Sequence, residues 1–122
     1  MTVIAIEHVQ VAMPPGREGE GHAFYAGLLG IPEVPKPAHL AARGGAWFEA
    51  GEVKVHLGVE EDFRPARKAH PAFVVTGLEE LVARLRAAGH EVVEDEPLAG
   101  WQRVYTADPF GNRIELMERA SL

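Results

Sequence analysis

His70-Pro71-Ala72-Phe73-Val74-Val75-Thr76-Gly77-Leu78-Glu79-Glu80-Leu81-Val82-Ala83-Arg84-Leu85-Arg86-Ala87-Ala88-Gly89 is the stretch on which the fold turns. Its short apolar opening, His70 to Val75, predicts a strand. Thr76 with Glu79 three residues on predicts a capping box, and Leu78, Leu81, Val82, Leu85 and Ala88 recur at helical spacing. Gly89 falls where a left-handed cap closes a helix. Downstream, His90 to Asp95 and Gln102 to Thr106 read as strands, Asp108-Pro109-Phe110-Gly111 as a turn, and Asn112 to Met117 as a last strand.

The same order is met upstream. Val3 to Met13, rich in Val and Ile and stopped by Pro14-Pro15-Gly16, predicts a strand. Phe24, Tyr25, Leu28 and Leu29, followed by Gly30, predict a helix over Arg17 to Leu29. After a stretch carrying Pro32, Pro35 and Pro37, and the break Gly44-Gly45, two runs flank Gly51 as a hairpin: Ala46 to Ala50 and Glu52 to Val59. His8 and His70 are 62 residues apart, Gly30 and Gly89 59, Gly51 and Gly111 60, His56 and Glu115 59. Four landmarks thus recur near half of the 122 residues, as a tandem duplication requires. The expected fold is α+β, two βαβββ modules at about 1–61 and 66–122, joined by the polar bridge Glu60 to Lys68. Neither module could bury its sheet alone, so the two share a core as one domain, 1–122, or pair with modules of a second chain.

Composition removes several functional classes. Hydrophobic residues at 47% and charged residues at 25% are globular proportions and argue against a disordered or membrane chain. Eighteen acidic against twelve basic residues give a net charge of -6, the wrong sign for nucleic acid. With no cysteine there is no disulfide, thiolate or iron-sulfur chemistry, and any metal must be held by His, Asp or Glu. The first residues lack a basic leader and no apolar run approaches the roughly 20 residues of a membrane span, so a cytoplasmic protein is expected.

Alternation along Glu52 to Val59 points Val53, Val55, Leu57 and Val59 one way and Lys54, His56 and Gly58 the other, and Glu115 occupies the matching face of the last strand. With His8 and His70 near the start of each module, this gives three histidines and a glutamate at corresponding points of a duplicated sheet. Such N and O donors suit a divalent zinc, nickel, manganese or iron ion. A lone strand His is otherwise a partly buried polar residue, and a final-strand Glu lies on the wet face. His22, His39 and His90 have no repeat counterpart and read as surface residues. Trp47, Phe63, Trp101 and Tyr105 are candidates to line an apolar pocket, plain core being the commoner place for large aromatics. Arg64, Arg67 and Lys68, just before His70, are placed to meet an anionic substrate or to form a solvated linker.

Ile6-Glu7-His8-Val9, Phe24-Tyr25-Ala26-Gly27-Leu28-Leu29-Gly30 and Asp108-Pro109-Phe110-Gly111-Asn112-Arg113-Ile114-Glu115-Leu116 together resemble the vicinal oxygen chelate superfamily. It comprises glyoxalase I, bleomycin resistance proteins, fosfomycin resistance proteins and extradiol dioxygenases, and the likeness spans nearly the whole chain. The resemblance implies a glyoxalase-like fold whose curved mixed sheets form a cleft around one divalent metal, with ligand positions mapping onto His8, His56, His70 and Glu115. His56 stands where the glyoxalase I pattern has glutamate, which counts against that isomerase chemistry. Fosfomycin resistance enzymes and extradiol dioxygenases use two His and one Glu, which His8, His70 and Glu115 would supply, although Gln10 stands where the fosfomycin enzymes usually carry Thr. By resemblance Glu115 is a ligand or, moving off the metal, a general base. The implied function is metal-dependent lyase, thiol transferase or ring-cleaving dioxygenase chemistry on a small substrate with vicinal oxygens. The alternative is a metal-free bleomycin-resistance-like protein that sequesters a drug, against which the retained ligand positions count. A homodimer is implied, in which His8 and His56 of one chain would meet His70 and Glu115 of the other.

Overall fold

A computed structural model gives the fold and describes residues 2–121. Two four-stranded mixed sheets are built on one plan. β1 (Val9–Met13), β2 (Glu33–Val34), β3 (Ala46–Ala50) and β4 (Val53–Val59) lie in the order β1-β4-β3-β2. β5 (Ala72–Val74), β6 (Val92–Val93), β7 (Trp101–Ala107) and β8 (Arg113–Arg119) repeat it as β5-β8-β7-β6. In each sheet the first strand runs parallel to the last and the other pairings are antiparallel. This is the fold of two βαβββ modules. The chain divides into compact units at Met1–Arg64 and Pro65–Leu122.

In the first unit the inner sheet face carries Val11, Met13, Phe48, Val55 and Leu57, all buried, with Phe24 and Tyr25 among the core residues of the same unit. In the second, Val104, Ile114 and Leu116 are buried together with Leu78, Leu81 and Leu85 of α3 (Leu78–Ala87), the three-four spacing predicted for its apolar stripe. Each fully buried aliphatic side chain contributes about 1.5–3 kcal/mol. Because strand side chains alternate, the opposite face of each sheet is left to polar and aromatic residues, and there the candidate site residues stand.

Three local expectations are corrected. The first strand begins at Val9, not Val3; Val3, Ile4 and Ile6 are exposed, and without a paired neighbour their β propensity makes no strand. The first helix is α only over α1 (Glu18–His22) and widens into a π-type turn at Ala23–Leu28, with Leu29 N–H donating to the Phe24 carbonyl at 2.9 Å. Thr76 does not cap α3: Gly77, at φ 70°, precedes the helix, and the Glu118 carboxylate accepts from the Gly77 and Leu78 N–H groups at 2.7 and 3.2 Å. A carboxylate at that helix end also meets the positive end of the helix dipole. The Pro-rich stretch, for which the sequence reading names no element, carries β2 and the short α2 (Ala38–Ala41).

Candidate metal centre

In the second unit, parallel pairing sets Ala72 beside Glu115, and antiparallel pairing sets Tyr105 opposite it. His70, two residues before Ala72, therefore comes to the same sheet face. Its Nε2 lies 2.9 Å from Glu115 Oε1, and its Nδ1 makes a 2.9 Å hydrogen bond with the Lys68 carbonyl oxygen. Both partners are acceptor oxygens, so each ring nitrogen donates in this arrangement, and Nε2, the one aimed at Glu115, would face an ion placed there only once that contact gives way. The other carboxylate oxygen, Oε2, accepts from Arg103 Nη1 at 3.1 Å, and the same nitrogen donates to the Tyr105 hydroxyl at 2.9 Å. Arg103 Nη2 donates to the Glu96 carbonyl at 2.7 Å, while its buried Nε has no hydrogen-bond partner. The hydrogen bond to Glu115 holds the Arg103 guanidinium above its ordinary value, so it stays charged across the working pH range. Glu115 itself is buried at 6% exposure, which makes this charge pairing necessary to it.

In the first unit, register sets Gln10 beside His56 and Trp47 opposite it. The His56 ring is stacked on Trp47, with centroids 4.0 Å apart and planes within 5°. His8 stacks on His56 at 4.3 Å and 20°. His56 Nε2 pairs with Glu49 Oε2 at 2.9 Å. His8 Nδ1 lies 3.3 Å from Glu7 Oε1, and Lys54 donates to the other Glu7 oxygen at 2.6 Å. That hydrogen bond lowers the Glu7 carboxyl and raises the Lys54 ammonium from their ordinary values.

The four expected ligands thus come as two pairs, His8 with His56 and His70 with Glu115. Among the described residues no group of three or more His, Asp or Glu stands arranged to hold a metal ion. The His70–Glu115 pair nevertheless fits a divalent ion in its donor chemistry. Two donors each about 2.0–2.2 Å from an ion lie about 3.0 Å apart in octahedral and about 3.4 Å apart in tetrahedral geometry, so the pair would open slightly to admit one. A ligating histidine whose other nitrogen bonds a backbone carbonyl is also the usual arrangement around such ions.

The remaining expected residues fall as follows. Trp47, Phe63, Trp101 and Tyr105 are all half-buried, so none is plain core; the buried rings are Phe24, Tyr25, Phe48 and Phe110. Arg113 lies over the Tyr105 ring at 3.8 Å and Arg119 over Trp101 at 4.4 Å. Arg64, Arg67 and Lys68 are exposed. His22 and His39 are exposed as expected, but His90 is half-buried and its Nδ1 bonds the Ala107 carbonyl oxygen at 3.1 Å. Arg103 and Glu49 were not among the expected residues. The signal for Arg103 was available: a tight turn at 108–111 folds 105 back on 115, and 103 shares the face of 105.

The chain belongs to the glyoxalase-like domain family, whose pattern it matches over residues 16–117, and with it to the vicinal oxygen chelate superfamily. A glyoxalase family protein from Bacillus anthracis is similar over 98% of both chains, at 47% identity and a TM-score of 0.91. A glyoxalase/dioxygenase from Nostoc punctiforme shares the fold at 20% identity and a TM-score of 0.74, over 99% of each chain. So does the fosfomycin resistance protein FosX from Listeria monocytogenes, solved with Mn(II) and sulfate, at 15% identity and a TM-score of 0.77, over 98% of this chain and 93% of that one. No curated protein matches the chain. Among the described residues no helix is long and apolar enough to cross a membrane.

Proposed function

We propose that the chain is a metal-dependent enzyme that acts on a small substrate with two neighbouring oxygens. The observation that carries this reading is the His70–Glu115 pair, with Nδ1 committed to the Lys68 carbonyl and Nε2 turned to the carboxylate. His70 and Glu115 would hold a zinc, nickel, manganese or iron ion together with a donor from the first module, His8 foremost and His56 by position, drawn from the same chain or from the second chain of a homodimer. Such an ion supplies Lewis acidity to two oxygens chelated side by side.

The chain's own residues do the rest. Arg103 fixes one Glu115 oxygen, so the carboxylate presents the other in a set direction. With both oxygens engaged, Glu115 acts as an anchored ligand and not as a base that swings to a substrate carbon. The Tyr105 hydroxyl accepts from Arg103 and retains its own proton to donate. The absence of a glutamate at position 56 removes the second carboxylate that a glyoxalase I-type proton transfer would use, so the reading favours nucleophile addition or oxidative cleavage over isomerisation. The two modules act as one domain in a cytoplasmic protein.

Elemental analysis of untagged protein, followed by turnover assays with iron, nickel, zinc or manganese, tests the reading. The panel comprises fosfomycin with thiols, catechols under air and the methylglyoxal-glutathione adduct. Chelator-sensitive turnover of any one supports it. Tight binding of a bleomycin-type drug that survives chelation, with no turnover in any metal form, would sink it in favour of the sequestering alternative.

A further inference from the structure

Resting on the metal-dependent reading, we infer that Arg113 and Arg67 form the specificity arm of the His70–Glu115 site and take a carboxylate on the substrate, which is therefore a small acid and not a neutral diol. Both arginines stand in the second unit and line one groove of about 670 Å³, room enough for a small ligand. The sheet register joins this groove to the site. Tyr105 lies opposite Glu115, its ring meets the His70 ring edge-on at 5.2 Å, and the Arg113 guanidinium covers it at 3.8 Å. Arg113 stands two residues before Glu115 on the same face of β8, about 7 Å along the strand. Val93, paired with Tyr105, and Ala107, paired with Arg113, give the groove an apolar floor on which a short carbon chain can lie.

Arg113 is arranged to receive an anion. Its side chain is 27% exposed, and its one ion pair among the described residues, with Asp95, is open at 4.0 Å. Stacking on Tyr105 fixes the plane of the guanidinium without using its donors, so the fork can meet a carboxylate with two parallel hydrogen bonds. Arg103, on the same face, is the contrast: its Nη1 and Nη2 are already spent on Glu115, the Tyr105 hydroxyl and the Glu96 carbonyl. Arg67 is no loose linker residue. Ala66 before it is held on both sides, its carbonyl accepting from the Arg113 N–H at 2.8 Å and its own N–H donating to Asn112 Oδ1 at 3.0 Å. The backbone therefore sets Arg67 at the groove beside Arg113, with no side-chain partner among the described residues. Glu91, Glu94 and Asp95 line the groove as well, but all three are exposed and screened by water, whereas the half-buried Arg113 meets an incoming anion at close range.

Calorimetry on the zinc-loaded full chain tests the inference with two probes that offer the same paired oxygens, 2-oxoglutarate and 2-oxopentanoate, of which only the first carries a carboxylate at its far end. 2-Oxoglutarate should bind at least about tenfold more tightly. Arg113→Met should bring the two acids to within about twofold of each other, Arg113→Lys should recover part of the preference, and the exposed Arg67→Met should lower it about threefold. Equal affinities in the wild type overturn the inference, as does a preference that survives Arg113→Met. If Arg113→Met does not fold, the wild-type comparison and Arg67→Met decide. A chain that takes up no zinc, nickel, manganese or iron overturns the metal reading instead, and the arm is then judged on the metal-free protein by NMR. There glutarate should move the Arg113 side-chain and Tyr105 ring resonances saturably where pentanamide does not; equal or absent shifts overturn the inference.

Discussion

His56 and Glu115 hold the same place in their two sheets: one lies beside Gln10 and opposite Trp47, the other beside Ala72 and opposite Tyr105. Gln10 and Ala72 each follow a histidine by two residues, so the duplicated scaffold delivers His8 and His70 to equivalent points as well. What differs is the surroundings. Two residues before Tyr105 stands Arg103, which binds Glu115; two residues before Trp47 stands Gly45, which offers no side chain. A buried carboxylate is thus charge-paired in one half, and a buried imidazole is held between rings in the other. The repeat sets the same geometry in both halves, and the neighbouring side chains make the two environments differ.

Metal should stabilise the fold through the His70–Glu115 pair. An ion present at a hundred times its dissociation constant adds about 2.7 kcal/mol, which for a chain of this length raises the melting temperature by roughly 10 °C. Chelator should remove that rise in the wild type. In Glu115→Ala and His70→Ala the melting curve should be indifferent to metal and chelator alike, as scanning calorimetry would register.

Arg103→Met should weaken metal binding by about tenfold without removing a ligand, because Glu115 Oε2 and the Tyr105 hydroxyl lose the donor that orients them. Arg103→Lys keeps a charge but not the fork, and should recover only part of the loss. Equal affinities for the Met variant and the wild type, by competition with a metal indicator, would show that Glu115 needs no such anchor.

The duplication was legible because its signals are local: strand alternation, a helical stripe at Leu78, Leu81 and Leu85, and turn glycines recurring at 59 and 60 residues. Partnerships set by cross-strand register were not. Nothing in the run around Glu49 announces that it will face His56, and Glu118 reaches the start of α3 from 40 residues away while the nearby Thr76 stays out of the cap. The stretch before Val9 looked like strand because Val and Ile favour one, yet strand also needs a neighbour to accept its hydrogen bonds.

Asn112→Ala should cost about 2–4 kcal/mol in urea denaturation. The side chain is 2% exposed; its Oδ1 accepts from Ala66 N–H and its Nδ2 donates to Asp108 Oδ2, both at 3.0 Å. Truncation leaves a buried carboxylate oxygen and an N–H short of partners, the expensive outcome for a hydrogen-bond deletion. Loosening this turn should also blur the β7–β8 register that presents Glu115, so metal affinity should fall with stability.

At the start of α1, Arg17 makes two hydrogen bonds to Glu20, at 2.6 and 2.7 Å, and these hold the Glu20 carboxyl below its ordinary value of 4.5. A depressed carboxyl contributes stability that is present at neutral pH and is lost as pH falls through its folded value. Arg17→Ala should therefore move the Glu20 titration upward in carbon-detected NMR while changing neutral-pH stability little, since the pair is exposed.

Gly45→Ala should be among the most damaging single substitutions in the chain. Gly45 sits at φ +80°, and a Cβ there would lie 2.0 Å from the Leu57 carbonyl oxygen, a backbone atom that cannot give way cheaply. The same residue donates its N–H to Glu18 Oε2 at 2.9 Å, tying the start of α1 to the entrance of β3. The backbone conformation alone costs a non-glycine residue about 1–3 kcal/mol, and the clash adds to it by forcing β3 away from β4. Since Trp47 follows two residues later, that shift would also unseat the stack on His56. The variant should unfold at least about 3 kcal/mol more easily in urea. Its His56 and His8 ring resonances should move even in the folded protein, and a Gly45→Ala protein of wild-type stability would show that the β3 entrance is free to relax.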